Sequence, residues 1–449
     1  MARCATPKGI KSSQSRLHPT LLPPEGGTPN LFSQEDELVD EKAELTARGS
    51  PLKLRPIFNG LQYLVGSLVG VDRIMRLRVA TNWDPTLLDG IKEYPVTCLF
   101  GILPSDPVGG GRPTLALPPA TKQQVEDYVK KVRARGLSFA YLMNAPCLGN
   151  MEFDKQWHQE FLDHLAWLDS IGVDWIIASV PYLIEVVKKR YPHLKVGTSI
   201  FDRINSLERA LHFERLGCDD IVLDPNINRE FKLIEKIRKH VKCDLTVLVN
   251  VYCLYQCPFS FYHSEQIGHA SQSWHPAKGY YVEYCWYSCM KRRLEDPAEL
   301  IKAPWVRPED VALYEEVGIN NFKIGDRAAR TAWLLNVVRA YASRRHEGNL
   351  LDLFNISTGT IQFVLHPYAG EGFTPALPYV DNRFLDGFIR HFRERSCCLA
   401  SCEECGYCER IARKAVTSSS DVQRTAECFG KALEDVVNGN AIVRPLFSK

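Results

Sequence analysis

The chain lacks any hydrophobic run long enough to cross a membrane, and residues 1–29 contain no apolar core of a secretory signal. It also lacks a surplus of either charge, because 55 basic residues stand against 53 acidic ones in 449. A balance this close to neutral gives no general attraction to nucleic acid or to an anionic membrane. We therefore predict a cytoplasmic protein that neither spans a membrane nor binds nucleic acid.

The start of the chain, residues 1–50, has the composition of a disordered tail. It contains several Ser, Pro and basic residues before Glu25, a charged end at 35–44 and no clear amphipathic helix. Because the first stretch contains Arg and Ser but few acids, an organelle transit peptide is the alternative. We predict a barrel domain over 51–345 and a Cys-rich C-terminal extension over 346–449.

Eight short runs rich in apolar and β-branched residues recur along the predicted barrel domain. The strand candidates are 77–82, 96–103, 138–144, 174–180, 195–200, 220–225, 244–250 and 321–326. Repeated strand–helix units predict a parallel sheet, and eight of them predict an α/β fold of the (β/α)8 TIM-like barrel type. A doubly wound open sheet is the alternative, but no G-x-G-x-x-G motif follows the first strand.

Helical periodicity fills the intervals between these runs and continues beyond them. The predicted helices include 122–136, 157–172, 206–217, 228–241, 307–318, 327–345, 384–395 and 426–439. Four of them end in a glycine where a left-handed residue is expected, at Gly136, Gly172, Gly217 and Gly318. The region 346–387 is predicted to consist mainly of loops.

Cysteine is abundant, and nine of the 15 cysteines fall into two groups. Without a secretory signal they do not indicate a disulfide framework, so thiolates acting as ligands in a reducing compartment fit better. The first group contains Cys253, Cys257, Cys285 and Cys289. The second contains Cys397, Cys398, Cys402, Cys405 and Cys408. Each group can supply the four thiolates that an iron–sulfur cluster or a structural zinc ion requires.

The first group follows the seventh predicted strand, whose C-terminal end would face the mouth of the barrel. Its two C-x₃-C pairs are compatible with an iron–sulfur cluster and with a Cys₄ zinc site alike, and ordinary buried cysteines are the third possibility. No third cysteine follows Cys257 at the spacing of a radical-SAM triad.

In several blocks the chain resembles the collagenase-like peptidase family U32, over about residues 75–345. The blocks are GGGR at 109–112, YLMNAPCLGN at 141–150, LVNVYCLYQCPFSFYH at 248–263, the second cysteine pair, and VRPEDVALYEEVGINNFKIGDR at 306–327. The resemblance implies a barrel-like protein in which the first cysteine group holds a 4Fe–4S cluster. It also implies oxygen-independent hydroxylation, the activity linked to family members in anaerobic ubiquinone synthesis and RNA base modification, with prephenate as oxygen donor.

The second group lies outside this resemblance. Cys402, Cys405 and Cys408 form the C-x₂-C-x₂-C run of bacterial ferredoxins, and Cys398 or Cys397 would be the fourth ligand. We expect either a second 4Fe–4S cluster that relays electrons to the first or a zinc site. A clip that holds the C-terminal segment on the barrel is the structural alternative.

Other candidate site residues lie at the predicted strand ends. The loop around Gly110, Gly111 and Arg112 offers backbone N–H groups and a guanidinium, which suit a carboxylate or phosphate, and Asn144 would join them in binding substrate. The catalytic candidates are His263 after the cysteine loop, Asn250 and Arg327. Arg327 would pair with an anionic substrate, or alternatively with Asp326.

These features predict an iron–sulfur enzyme acting on a small organic substrate, with an electron donor or a paired U32-like subunit as possible partners. One alternative is a peptidase, although neither G-x-S-x-G nor H-E-x-x-H is present. Another is a non-catalytic scaffold or RNA-modification subunit with structural metal.

Overall fold

A computed structural model describes residues 75–279, 284–395 and 401–440. The predicted tail at 1–50 lies outside the described residues, as do Cys397 and Cys398 of the second cysteine group. The account below concerns the described ranges.

Eight parallel strands form a closed barrel, as the sequence predicts. They are β1 (Arg76–Ala80), β2 (Val96–Gly101), β3 (Ser138–Met143), β4 (Trp175–Ala178), β5 (Lys195–Gly197), β6 (Asp220–Val222), β7 (Asp244–Leu248) and β8 (Asn321–Ile324). Each strand pairs with the next, and β8 closes the ring on β1. The strands are short and mostly apolar because helices cover their outer faces and side chains fill the lumen.

Helices surround the barrel and build the C-terminal extension. They are α1 (Pro85–Gly90), α2 (Lys122–Ala134), α3 (Lys155–Ser170), α4 (Pro181–Arg190), α5 (Leu207–Arg215), α6 (Phe231–His240), α7 (Ser260–His269), α8 (Tyr284–Glu295), α9 (Ala298–Lys302), α10 (Val311–Glu316), α11 (Thr331–Ser343), α12 (Thr358–Ala369), α13 (Arg390–Glu394), α14 (Cys402–Cys405), α15 (Tyr407–Ala415) and α16 (Ser420–Val437). The four predicted helix-end glycines have φ between 74° and 96°. Among the described residues no helix combines the length and apolarity needed to cross a membrane.

An ion pair spans the lumen from the middle of β1 to the start of β6. Arg78 of β1 donates from Nη1 to Oδ2 of Asp220 on β6, at 2.7 Å. Because β1 borders β2 and β8, this contact must cross the interior of the barrel. Thr246 of β7 donates a further hydrogen bond to Asp220, also at 2.7 Å. Burial raises the pKa of Asp220, and the charge of Arg78 opposes that rise.

Two local predictions for the C-terminal extension are wrong. The region 346–387 contains helix α12 despite Gly359 and Pro367, because Ile361 and Leu365, one turn apart, pack into a second apolar core. The predicted helix at 384–395 is interrupted by Gly387, whose φ of 78° ends the first turn, so only the five-residue α13 remains.

The second apolar core joins the extension to the first cysteine group. Phe429 of α16 packs edge-on against Trp286 of α8, with ring centres 5.3 Å apart, and Met290 of α8 belongs to the same core. Helix α8 also carries Cys285 and Cys289. The C-terminal helix therefore supports the helix that presents two of the four predicted cluster ligands.

Candidate functional site

Three segments meet at the C-terminal mouth of the barrel. A Cβ built on Gly110 would lie 3.1 Å from Oδ1 of Asn144, after β3, and 3.5 Å from Nη1 of Arg327, after β8. Nδ2 of Asn144 donates to Oγ of Ser199, after β5, at 2.9 Å. The structure therefore brings together three of the residues that the sequence places in the substrate site. Glycine at 110 permits this close approach, since a Cβ would also lie 2.7 Å from Ile102.

Two polar atoms at this meeting point have no hydrogen-bond partner among the described residues. They are Nη1 of Arg327 and Oδ1 of Asn144, whose side chains belong to residues only 7% and 6% exposed. A buried N–H without an acceptor costs about 1–3 kcal/mol, so these two atoms are expected to bond to a water molecule or to a ligand. A ligand carboxylate would accept from Arg327, and a ligand hydroxyl would donate to Asn144.

Arg112 is engaged by the protein. Its Nη2 donates to Oδ2 of Asp326 at 2.8 Å and its Nε donates to Oδ1 at 3.3 Å, while Nη1 donates to the carbonyl of Gly111 at 3.0 Å. Burial by itself would raise the pKa of Asp326, but the charge and hydrogen bonds of Arg112 lower it to about 2. Asp326 thus pairs with Arg112, and the guanidinium of Arg327 stays available at the mouth of the barrel.

The backbone of the glycine loop differs from the expectation of free N–H groups. The N–H of Gly109 donates to Oδ1 of Asp106 at 2.6 Å, and the N–H of Gly110 donates to Oγ of Ser271 at 2.8 Å. Asp106 is in turn held by the hydroxyl of Tyr141, at 2.7 Å. These N–H groups position the loop, because the protein itself supplies their acceptors.

Asn250 holds the start of the turn that carries Asp326 and Arg327. Its Oδ1 accepts from the N–H of Gly325 at 2.9 Å, and its Nδ2 donates to the carbonyl of the same glycine. Both ends of the amide are therefore used on one backbone unit, which makes Asn250 a positioning residue. His263, the other catalytic candidate, lies half-buried in the first turn of α7.

Lys323 of β8 is a lumen residue that the sequence analysis did not single out. Its Nζ lies 4.5 Å from the ring centre of Phe100 on β2, a contact that crosses β1. Burial, reinforced by the positive charge of Arg327, lowers the pKa of Lys323 to about 8. The signal was present in the alternation of β8, where Asn321 and Lys323 share one face and buried Phe322 and Ile324 share the other.

The first cysteine group lies between β7 and α8 beside a buried arginine. Cys253 is exposed and Cys257 half-buried in the loop, whereas Cys285 and Cys289 are buried on α8. Arg293, one turn after Cys289, donates from Nη2 to its Sγ at 3.0 Å. Burial raises the pKa of Cys257, and the charges of Arg293 and Arg203 oppose that rise. Arg293 was missed in the sequence, although its i+4 spacing from Cys289 places it on the same helix face.

The described residues contain no set of three His, Cys, Asp or Glu side chains arranged to hold a single ion. A zinc ion would need its sulfurs about 2.3 Å from the metal and hence about 4 Å from one another. A four-iron cluster bonds each thiolate to a different iron, so its four sulfurs lie further apart.

Residues 120–348 match the family model described as Peptidase family U32. The chain belongs to family U32. It is 32% identical over 316 residues to an uncharacterized protease of Methanocaldococcus jannaschii, a match that covers 69% of this chain and 86% of the relative. The resemblance to U32 seen in the sequence blocks is thereby confirmed.

Solved structures with similar folds include a U32 peptidase and a tryptophan synthase α-subunit from Pyrococcus furiosus. The U32 peptidase is 24% identical with a TM-score of 0.44, covering 60% of this chain and 98% of that one. The α-subunit is 11% identical with a TM-score of 0.35, covering 60% of this chain and 95% of that one. Scores of this size carry no argument about chemistry.

The second cysteine group lies beyond the U32 match, and two of its described members lie beside the loop of the first group. Cys402 of α14 and Cys408 of α15 line a small pocket together with Tyr255, which belongs to the Cys253–Cys257 loop. Arg229 and Lys302 line the same pocket and bring positive charge to it. Burial raises the pKa of Cys408 to about 11, although Arg229 acts to lower it. The extension of this U32 protein thus brings its thiols to the cysteine loop of the barrel.

Proposed function

We propose that this U32 protein is an iron–sulfur enzyme that catalyses an oxygen-independent hydroxylation, or a related redox modification, of a small organic acid. The observation that carries the proposal is the placement of a thiol-rich loop and an unpartnered buried guanidinium at the same barrel mouth. The loop would hold a redox centre, and the guanidinium of Arg327 would bind a carboxylate of the substrate or of an oxygen donor such as prephenate. The reaction would proceed in the cytoplasm, where thiolates stay reduced.

A 4Fe–4S cluster on Cys253, Cys257, Cys285 and Cys289 would supply one-electron transfer to the bound acid. Arg293 supports this assignment, because four thiolates bring negative charge that a buried cation offsets. Its hydrogen bond to Cys289 and its stacking over Tyr252, at 4.8 Å, hold the guanidinium in place. Arg327 and Asn144 would orient the acid, and Asn250 would hold the turn that carries Arg327.

The second thiol group, Cys398, Cys402, Cys405 and Cys408, would bind a second cluster, and zinc is the alternative metal for those sulfurs. Tyr255, in the loop that carries Cys253 and Cys257, lines a pocket with Cys402 and Cys408, and this proximity supports a relay of electrons from an external donor through the extension. Arg229 and Lys302 would offset its negative charge. A paired U32-like subunit is a further candidate for the electron donor.

The reaction type is tested by assays without oxygen. Reduced protein is incubated anaerobically with prephenate and a set of small aromatic and aliphatic acids, and mass spectrometry follows the gain of one oxygen atom. We expect a hydroxylated product that requires prephenate or another organic oxygen donor and forms equally well when air is absent. Product formation that requires molecular oxygen contradicts the proposal. Cleavage of gelatin or peptides by iron-depleted protein would instead favour the peptidase that the family's description names.

Iron content tests the two thiol groups separately. After anaerobic purification we expect about eight irons and eight acid-labile sulfides per chain, falling to about four in Cys257→Ser and about four in Cys405→Ser. Cys243→Ser is the matched control, because this half-buried cysteine lies at the start of β7, at the opposite end of that strand from the cysteine loop. If Cys405→Ser loses zinc and no iron, the second group binds a structural zinc ion and the chain carries one cluster. Eight irons retained in Cys257→Ser would overturn the ligand assignment of the first group.

Arg293→Gln is expected to lower the reduction potential of the first cluster by roughly 100 mV. A unit charge about 6 Å away at an effective dielectric constant of about 20 contributes an energy of this size, and the lost hydrogen bond to Cys289 acts in the same direction. An EPR-monitored redox titration measures the shift. Arg292→Gln is the control, since Arg292 neighbours it on α8 but is largely exposed and pairs with Glu299 at 3.2 Å. Equal shifts in both variants would show that Arg293 has no specific role.

A further inference from the structure

We propose that Lys323 is a nucleophilic amine that forms an imine with the carbonyl group of an oxo acid whose carboxylate is bound by Arg327. The inference rests on the proposed function only in taking Arg327 as the carboxylate contact. It requires neither the iron–sulfur cluster nor turnover. It assigns to the barrel lumen a covalent binding site for a second functional group of the ligand.

The first support is the absence of an ion-pair role for this lysine within the described part of the chain. No carboxylate of those residues lies within 4.0 Å of Nζ, and no hydrogen bond to Nζ is formed there. The lumen carboxylate whose charge acts on Lys323, Asp220, already accepts hydrogen bonds from Arg78 and Thr246 at 2.7 Å each. A lysine that served the fold as a counter-ion would approach an acid, and Lys323 instead lies against the ring of Phe100.

The second support is the position of Lys323 at the C-terminal end of β8. Lys323 is the penultimate residue of β8, two residues before the Gly325 turn and four before Arg327, and it retains partial exposure. Chemistry in (β/α)8 barrels is carried by residues at these C-terminal strand ends. An amine here faces the same mouth as the unpartnered Nη1 of Arg327. A ligand with a carboxylate and a carbonyl can therefore engage both groups.

The third support is the state of the amine. The groups that act electrostatically on Lys323 are Arg327, Asp220, Arg78 and Cys98, and with burial their combined effect lowers its pKa to about 8. At pH 7 about one amine in ten is then neutral, against about one in several thousand for a lysine with the ordinary pKa of about 10.4. Desolvation beside another cation is an established way to make a lysine nucleophilic.

The covalent step needs no further reactant. The neutral amine adds to the carbonyl carbon, the carbonyl oxygen takes up a proton, and the carbinolamine then loses that oxygen as water with the two hydrogens of the original amine. A C=N bond replaces C=O with no change in oxidation state. The protonated imine withdraws electrons from the adjacent carbon, so the same site would favour proton removal or decarboxylation next to the former carbonyl.

The experiment traps the imine by reduction. Anaerobically purified full-length protein is incubated at pH 7 with sodium cyanoborohydride and one of three probes: pyruvate, acetoacetate or levulinate, in which the carbonyl and carboxylate are progressively further apart. Peptide mass spectrometry then locates the adduct. We expect Lys323 to be labelled at least about tenfold faster than Lys195, an exposed lysine that also lies over an aromatic ring, at 5.1 Å from Trp175. The best probe reports the spacing between amine and guanidinium.

Two variants separate the outcomes. Lys323→Arg keeps the positive charge, so it should retain iron content and fold while losing the adduct. Arg327→Met should slow labelling at Lys323 by the oxo acids more than labelling by acetone, because acetone has no carboxylate and reports only the rise in the pKa of Lys323 that follows loss of the neighbouring charge. Equal slowing with both kinds of probe would show that Arg327 does not bind the carboxylate. Labelling of Lys323 at the rate of Lys195 with all three probes would overturn the inference. If the purified protein holds no iron but Lys323 is still labelled, the proposed cluster is wrong and the imine site is retained.

Discussion

Replacing Arg78 with Met is expected to lower the free energy of unfolding by about 3–5 kcal/mol. The substitution removes one partner of a buried ion pair and leaves the carboxylate of Asp220 in the barrel lumen with only Thr246 as a donor. Uncompensated buried charges carry penalties of this size, whereas well-packed apolar replacements of both partners are often close to neutral. Urea denaturation at pH 7, followed by circular dichroism, measures the loss.

The pH dependence of the destabilisation by Arg78→Met tests this prediction. Burial already raises the pKa of Asp220, and without Arg78 that pKa rises further. As the pH falls, the folded variant takes up a proton on Asp220 before the unfolded chain does, so the cost of the substitution shrinks between pH 7 and pH 5. The double variant Arg78→Met with Asp220→Asn should recover most of the loss at pH 7. A destabilisation that is independent of pH and persists in the double variant would assign it to packing.

Replacing Arg327 with Met is expected to weaken binding of an acidic ligand by about 30- to 1,000-fold, or about 2–4 kcal/mol. The guanidinium of Arg327 keeps a buried N–H without an acceptor among the described residues, and Asn144 cannot replace its charge. Because its Nη1 has no acceptor in the ligand-free protein, the same substitution should leave stability unchanged or raise it by about 1 kcal/mol. Isothermal titration calorimetry with prephenate and thermal melting measure the two effects.

Arg112→Met provides the contrast. It removes the partner of Asp326, whose pKa Arg112 holds at about 2, so we expect lower stability above the pH range in which an ordinary aspartate titrates. Loss of affinity with preserved stability in Arg327→Met, and loss of stability in Arg112→Met, would distinguish a ligand contact from a structural ion pair. A large loss of stability in Arg327→Met would contradict the assignment of Arg327 to the ligand.

The eight strands could be predicted because each is encoded by a short local run of apolar residues, and the order of strands follows from the chain. Helix α12 could not, because Gly359 and Pro367 weaken its local signal and its stability comes from packing on Met290 and Phe429. The expectation of free N–H groups in the glycine loop was wrong at Gly109 and Gly110, where side chains of the protein supply the acceptors. Their acceptors are Asp106, nearby in the chain, and Ser271, more than 150 residues away.

In the cysteine loop, too, some features could be predicted from the sequence and others depended on tertiary packing. The sequence alone supplied the four thiols and their family, since residue type and spacing can be seen directly in the chain. It did not supply Arg293 as their buried partner, because an arginine four residues after a cysteine has no distinctive pattern. Nor did it place Tyr255 beside Cys402 and Cys408, since that contact depends on how the extension packs against the barrel.

By itself the sequence determined the U32 barrel, the positions of its cysteines and the strand ends that carry Asn144 and Arg327. These properties depend on residue type and on periodicities of a few residues, which local physics converts directly into strands, helices and caps. Only the tertiary structure decided that Arg112 pairs with Asp326, that Nη1 of Arg327 is buried without an acceptor, and that Lys323 meets no acidic partner among the residues described. Each of these outcomes depends on which of several competing charges, distant along the chain, approach one another when the ring of strands closes.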